Sequence, residues 1–134
     1  MEIVRAWEEA GVEIPAPYSR RIKVLFAPDK GGVEELMFTH AILPPAGRTD
    51  CHTHDRPELI YIVSGQGICV TTEGETPVTA DVALWVRAGE QHQMINTGYE
   101  PLKLATVFVP AYTAEQNYSR CVKAAEAARE GRSA

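Results

Sequence analysis

Residues 44–65 read PPAGRTDCHTHDRPELIYIVSG, and this stretch decides the fold. It opens on paired prolines, Pro44 and Pro45, which stop a preceding strand because proline cannot donate to a ladder. Leu59 to Val63 is an apolar and aromatic run, closed by Ser64-Gly65-Gln66-Gly67. Similar short runs lie on both sides of it. Upstream, Arg20 to Phe26 places Ile22, Val24 and Phe26 in alternation, then Pro28 to Gly32 forms a turn, and a second strand covers about Glu35 to Leu43. Downstream come Ile68 to Thr72, a turn at Glu73-Gly74, a strand from Thr76, then Val82 to Val86, His92 to Asn96 and Leu102 to Val109. Strands this closely spaced, with no helix-length pattern between them, predict an all-β sandwich or barrel and exclude a parallel βαβ sheet.

The two ends differ from the middle. The first residues carry a short amphipathic pattern ending at Gly11, and Ile14-Pro15-Ala16-Pro17 forbids a helix and predicts an extended lead-in. Thr113 to Gln116 has the form of a capping box. From Ala114 to Glu130 the chain is rich in Ala, Glu, Arg and Lys, with Tyr118, Cys121, Val122, Ala125 and Ala128 at helical spacing and Gly131 at the C-cap. This predicts one amphipathic helix, packed on the barrel exterior or on a partner subunit. The expected layout is an N-terminal extension and first hairpin over 1–33, a barrel over 34–112 and a helix over 113–134, one domain in all.

Composition narrows the function. The chain has 134 residues, 45% of them hydrophobic, and a formal net charge of −5. Clustered Lys and Arg for nucleic acid are not part of such a balance, and no apolar stretch reaches the ~20 residues that span a bilayer. The start at Met1-Glu2 lacks the basic-then-apolar layout of a signal peptide. Cys51, Cys69 and Cys121 are odd in number and widely separated, which fits free thiols in a reducing cytoplasm. Three of the four histidines fall between positions 52 and 92.

Those histidines carry the chemistry. In a strand successive side chains alternate faces, so His52 and His54 project from one side. Pro57 ends that ladder and Glu58 opens the next strand, sharing its face with Ile60 and Ile62. Two imidazoles and a carboxylate on one wall form the facial arrangement of non-haem metal sites. His92 is a fourth candidate, brought opposite if its strand pairs across the barrel.

These residues resemble the cupin superfamily. Its first motif, His-x-His, three or four residues, Glu, six residues, Gly, is matched by His52, His54, Glu58 and Gly65; its second by Gly89, His92 and Asn96. The resemblance covers about positions 34 to 110. It implies a double-stranded β-helix, or jelly-roll, barrel, a homodimer, and one divalent transition metal (Fe, Mn, Ni or Zn) held by His52, His54, Glu58 and His92. Three turn positions depart from the pattern: Arg87 replaces a proline, Ala80 a glycine before Asp81, and Ala46 the first glycine after the paired prolines. They bear on loop shape rather than on metal binding. Arg87 reads as a solvated rim residue or as a contact for an anionic substrate.

The remaining candidates are weaker. His40 shares its strand face with Phe38 and Ile42, and reads either as an acid/base beside the metal or as a structurally satisfied histidine. Phe38, Ile60, Ile62 and Met94 are the expected pocket lining. Cys51 and Tyr61 oppose the ligands on their strands, Tyr61 for packing between sheets, and Cys69 and Cys121 read as small core or helix-face residues. The site expected is that of a metal-dependent enzyme on a small organic molecule, dioxygenase first and Lewis-acid isomerase or lyase second. A barrel that binds or senses a small ligand without turnover is the alternative from another class.

Overall fold

A computed structural model describes residues 1–131. A 3-10 turn at Ala6–Glu8 precedes nine strands and one helix: β1 (Val12–Ile14), β2 (Arg20–Phe26), β3 (Met37–Leu43), β4 (Glu58–Ser64), β5 (Gln66–Thr71), β6 (Gly74–Thr79), β7 (Ala83–Val86), β8 (His92–Asn96), β9 (Leu102–Phe108) and α1 (Ala114–Arg129). All pairings are antiparallel. They build a six-stranded sheet in the order β1-β2-β3-β9-β4-β7 and a three-stranded sheet in the order β6-β5-β8. The strand expected from about Glu35 begins at Met37, after the turn that follows β2.

Period-2 burial turns one face of each sheet inward. In β3, Met37, Thr39, Ala41 and Leu43 are buried; in β9, Leu102, Leu104, Thr106 and Phe108 are. With Ile60, Ile62, Cys69, Val78, Val86 and Met94 from other strands they form the interior of a jelly-roll barrel. Polar turns fix where strands end. Gly65 has φ +90, and a Cβ there would stand 2.5 Å from the carbonyl oxygen of Pro101, so only glycine fits between β4 and β5. Asn96 is buried; its amide donates to the carbonyls of Leu43 and Glu100, and its Oδ1 accepts from Gly98 N–H, tying the end of β8 to β3.

The helix closes the barrel of its own chain. Thr113 accepts from Gln116 N–H while the Gln116 side chain accepts from Thr113 N–H, completing the capping box, and Gly131 takes φ +74 beyond the last turn. Asp29, in the β2–β3 turn, accepts from the Ala114 and Glu115 N–H groups, a favourable place for a carboxylate at a helix start. Buried Cys121 and Ala125 join the core with Ile14 and Ile22, and the Tyr118 hydroxyl accepts from Val24 N–H at 2.8 Å. No helix among the described residues is long and apolar enough to cross a membrane.

Candidate metal centre

Three segments converge on one wall. Glu58 is the first residue of β4 in the large sheet and His92 the first of β8 in the small one. His52 and His54 lie on the connection from β3 to β4, both strands of the large sheet, which runs alongside β8 of the small sheet. They are not in a ladder, as strand alternation predicts: His52 makes a single two-bond bridge to His92, with N–O distances of 3.1 and 3.0 Å, and His54 follows in irregular chain. Further contacts to β8 lie upstream, where Thr49 N–H donates to the Met94 carbonyl and Asn96 N–H to that of Gly47, with no continuous ladder between them. One ligand atom from each of the four residues lies within 4.8 Å of the others. His54, Glu58 and His92 are buried, and His52 nearly so.

The hydrogen bonds select the imidazole atoms that face inward. His52 Nδ1 lies 2.8 Å from the carbonyl oxygen of Asp50, and His92 Nδ1 lies 2.9 Å from that of Glu90. A carbonyl only accepts, so both Nδ1 atoms carry hydrogen and both Nε2 atoms of the neutral rings present lone pairs. His92 Nε2 stands 3.0 Å from Glu58 Oε1, and His54 Nε2 stands 3.4 Å from the same oxygen. A lone pair facing a carboxylate at that distance needs a proton or a cation between them. Moreover, His54 Nε2 is buried and finds no hydrogen-bond partner among the described residues. Three imidazole nitrogens and a carboxylate, one nitrogen orphaned, fit a divalent transition metal.

Electrostatics agree. Burial opposes ionisation of Glu58, but the His54 and His92 imidazoles outweigh it and hold its pKa down to about 2. Burial also pulls His92 down, yet its hydrogen bonds to Glu58 and the Glu90 carbonyl leave it raised. The raised His92 thus favours a proton between its Nε2 and Glu58, in the place a cation would take. His52 is pushed down to about 3, by burial and by the positive charge of Arg120, and stays a neutral ligand.

The four residues form part of the lining of a cavity of about 60 Å³. Ile60 and Met94 lie on its wall, as expected. Ile62 does not: two residues further along β4, it is fully buried in the core below. Phe38 and His40 are corrected more sharply. They point to the outer face of β3, and Thr39 and Ala41 line the cavity in their place, because inward parity in β3 belongs to Met37, Thr39, Ala41 and Leu43. On that outer face burial together with Lys103 and Lys23 depresses His40, so it sits among cations, away from any ligand. Tyr61 also faces outward, 40% exposed, with its hydroxyl on Asp81, rather than packing between sheets. Arg87 and Cys51 are exposed.

Sequence reasoning missed the other side of the cavity. Arg20 from the start of β2, and Asn117, Arg120 and Cys121 from α1, line it opposite the ligands. Beneath them Asp50, 2% exposed, faces three groups: Arg120 Nη1 at 3.0 Å, His52 Nδ1 at 3.5 Å and Arg20 Nη2 at 3.7 Å. Signals for two of these existed. Arg20 shares parity with Ile22 and Val24, and Asp50 shares parity with His52 and His54. Near the mouth, Arg56 stacks 3.8 Å over Tyr112 and donates to the carbonyls of Pro110 and Ala111, holding the β9–α1 connection beside His54.

The family model described as the cupin domain matches residues 39–109. An oxalate-binding protein of Thermotoga maritima is 28% identical over 74 residues, 54% of this chain. That match spans only 61% of the relative's length. Among solved structures, a predicted oxalate decarboxylase from Thermotoga maritima superposes with TM-score 0.73 at 23% identity, covering 81% of this chain and 99% of that one. A polyketide cyclase from Streptomyces resistomycificus gives TM-score 0.73 at 19% identity, over 81% and 79% of the two chains. Ectoine synthase from P. lautus gives 0.73 at 15% identity, over 90% and 86%. At these identities the structures share a fold with this chain, and their diverse reactions show that the barrel alone does not name one.

Proposed function

The chain belongs to the cupin-domain family, and from that premise we propose that it is a metal-dependent enzyme acting on a small organic substrate that chelates the metal. The observation that carries this is the convergence of His52, His54, Glu58 and His92, with His54 Nε2 orphaned, on the wall of a cavity inside the barrel. Iron, manganese, nickel or zinc each accept three imidazoles and a carboxylate. When bound, such an ion polarises substrate oxygens as a Lewis acid or, if redox-active, supports dioxygen chemistry.

The chain's own residues favour dioxygenation over isomerase or lyase chemistry. With His40 outside, the titratable groups lining the cavity beyond the four ligands are Arg20, Arg120 and Cys121. Isomerisation and elimination by proton abstraction need a base, and among the described residues lining the cavity no imidazole or carboxylate beyond the four candidate ligands is present to act as one. A substrate ionised by chelation and then oxidised has no need of one. The barrel interior and α1 line the site, and Glu58 and His92 are positioned so that a cation would take the place of a proton between them. The free thiols of Cys51, Cys69 and Cys121 support a reducing cytoplasm as the site of action.

A second reading, ligand binding without turnover, is favoured by the relative named for binding oxalate. Metal analysis of protein purified without chelators tests the common premise. Less than about a tenth of an equivalent, with no uptake on reconstitution, removes it. Oxygen consumption by the Fe(II) form with diketones, thiols and phenolics then separates the two readings. Tight binding of a candidate without oxygen uptake replaces dioxygenation with simple binding.

A further inference from the structure

The wall facing the four ligands carries an excess of positive charge. Asp50 supplies one negative charge against two guanidiniums, those of Arg20 and Arg120, and Arg20 is 3% exposed. Glu58 offsets only half the charge of a divalent ion. The loaded cavity therefore lacks two negative charges, in a place where uncompensated charge is costly. Arg120 is also incompletely used. Its Nη1 donates to Asp50 Oδ2 at 3.0 Å and its Nη2 to Cys121 Sγ at 3.3 Å, whereas its Nε is buried with no partner among the described residues. Arg120 lies at the mouth as well: it lines the inner cavity and two outer clefts, one shared with Cys51 and Lys123, the other with Tyr112 and Gln116.

We infer that Arg120, backed by Arg20, is a carboxylate-binding residue, so that the cavity takes a small organic anion with one end at the four ligands and a carboxylate at the α1 guanidinium. This inference rests on the metal-site reading and deepens it by naming the substrate class. Size agrees: about 60 Å³ accommodates about four to six water-sized groups, the bulk of a two- to four-carbon acid. A guanidinium suits the task because its planar donors match a carboxylate and stay charged at any working pH. Asp50 then serves as the resident counter-ion: its Oδ2 accepts from Arg120 Nη1 at 3.0 Å and lies 3.5 Å from His52 Nδ1, the ring nitrogen that points away from the ligand centre.

The test is calorimetric titration of oxalate, the smallest dicarboxylate, and of oxamide, its uncharged analogue, into zinc-loaded protein. Arg120→Gln is expected to weaken oxalate at least tenfold, with metal content and thermal midpoint retained and oxamide binding changed less than threefold. Arg120→Lys, which keeps the charge and loses the fork, is expected to fall between, and it decides the matter should the glutamine variant fail to fold. Unchanged oxalate affinity in a folded, metal-loaded Arg120 variant overturns the inference, as does an equal loss for oxamide. Should the wild-type chain take up no metal, the metal reading fails on its own. Titration of the metal-free protein then decides the inference: Arg120-dependent oxalate binding sustains it, and no binding overturns it.

Discussion

Replacing Asp50 with Asn tests how the chain tolerates cations inside its barrel. The substitution keeps size and shape and removes one charge. At an effective dielectric of 20 the attraction to Arg120 at 3.0 Å is about 5.5 kcal/mol and to Arg20 at 3.7 Å about 4.5 kcal/mol. Neither figure is a net contribution, since desolvation offsets most of both. What decides the outcome is where each guanidinium goes once its partner is gone. The Arg120 side chain is 34% exposed and can turn toward water; that of Arg20, 3% exposed, cannot. The expected loss is therefore about 3 kcal/mol, the low end for stripping a buried ion pair of one partner. For a domain of this size that lowers the thermal midpoint by about 10 °C. Urea denaturation of metal-free Asp50→Asn, at low and high salt, measures it. The cost should persist in high salt because the pair is buried. A loss below 1 kcal/mol, or one erased by salt, refutes the reasoning.

Further predictions concern the metal, acid, a turn and the outer sheet face. His54→Ala should lower metal occupancy strongly, and unchanged occupancy by elemental analysis removes His54 from the ligand set. Acidification should destabilise the metal-free chain. His52 titrates near 6.5 when unfolded and about 3 when folded, and Glu58 near 4.5 and about 2, so the unfolded state binds protons first on both counts. The raised His92 acts in the opposite sense but counts for one proton against two. A urea midpoint that rises from pH 7 to pH 4 contradicts this. Ala46 takes φ +65 at an exposed turn, so Ala46→Gly should stabilise by about 1 kcal/mol, read as a higher urea midpoint; a lower one contradicts the assignment of strain. Finally, Phe38, Val107, Leu59 and Trp85 stand in register across the outside of β3, β9, β4 and β7, with Leu59 37% and Trp85 57% exposed. We propose that this row meets a second copy in a homodimer. Light scattering should then show a dimer that Trp85→Glu dissociates, and a monomeric wild type at micromolar concentration contradicts it.

Where one strand face is apolar and the other polar, the sequence was readable almost to the residue. β2 and β8 begin and end where alternation places them, although a bulge between Val24 and Phe26 turns Leu25 inward in place of Phe26, and the spacing of His52, His54, Glu58 and His92 indicated their convergence. β3 was ambiguous for a physical reason. Phe38 and Ile42 make its outer face as apolar as its inner one, while Thr39, whose hydroxyl lies 2.6 Å from that of Thr106, makes the inner face look polar. Parity alone thus put Phe38 and His40 on the wrong side. The guanidinium wall was hidden differently. Helical periodicity identifies the small buried face of α1 at Cys121 and Ala125, but not what that face covers, and Arg20 and Arg120 meet at Asp50 from opposite ends of the chain.

That closure from opposite ends divides the labour within the cavity. The candidate ligands stand on β4, β8 and the connection before β4, and the last barrel strand finishes at Phe108. The groups that shut the cavity from the other side, Asn117, Arg120 and Cys121, stand on α1. A substitution on the inner face of the helix can therefore change which small molecules the cavity admits while leaving the four candidate ligand positions on the barrel in place.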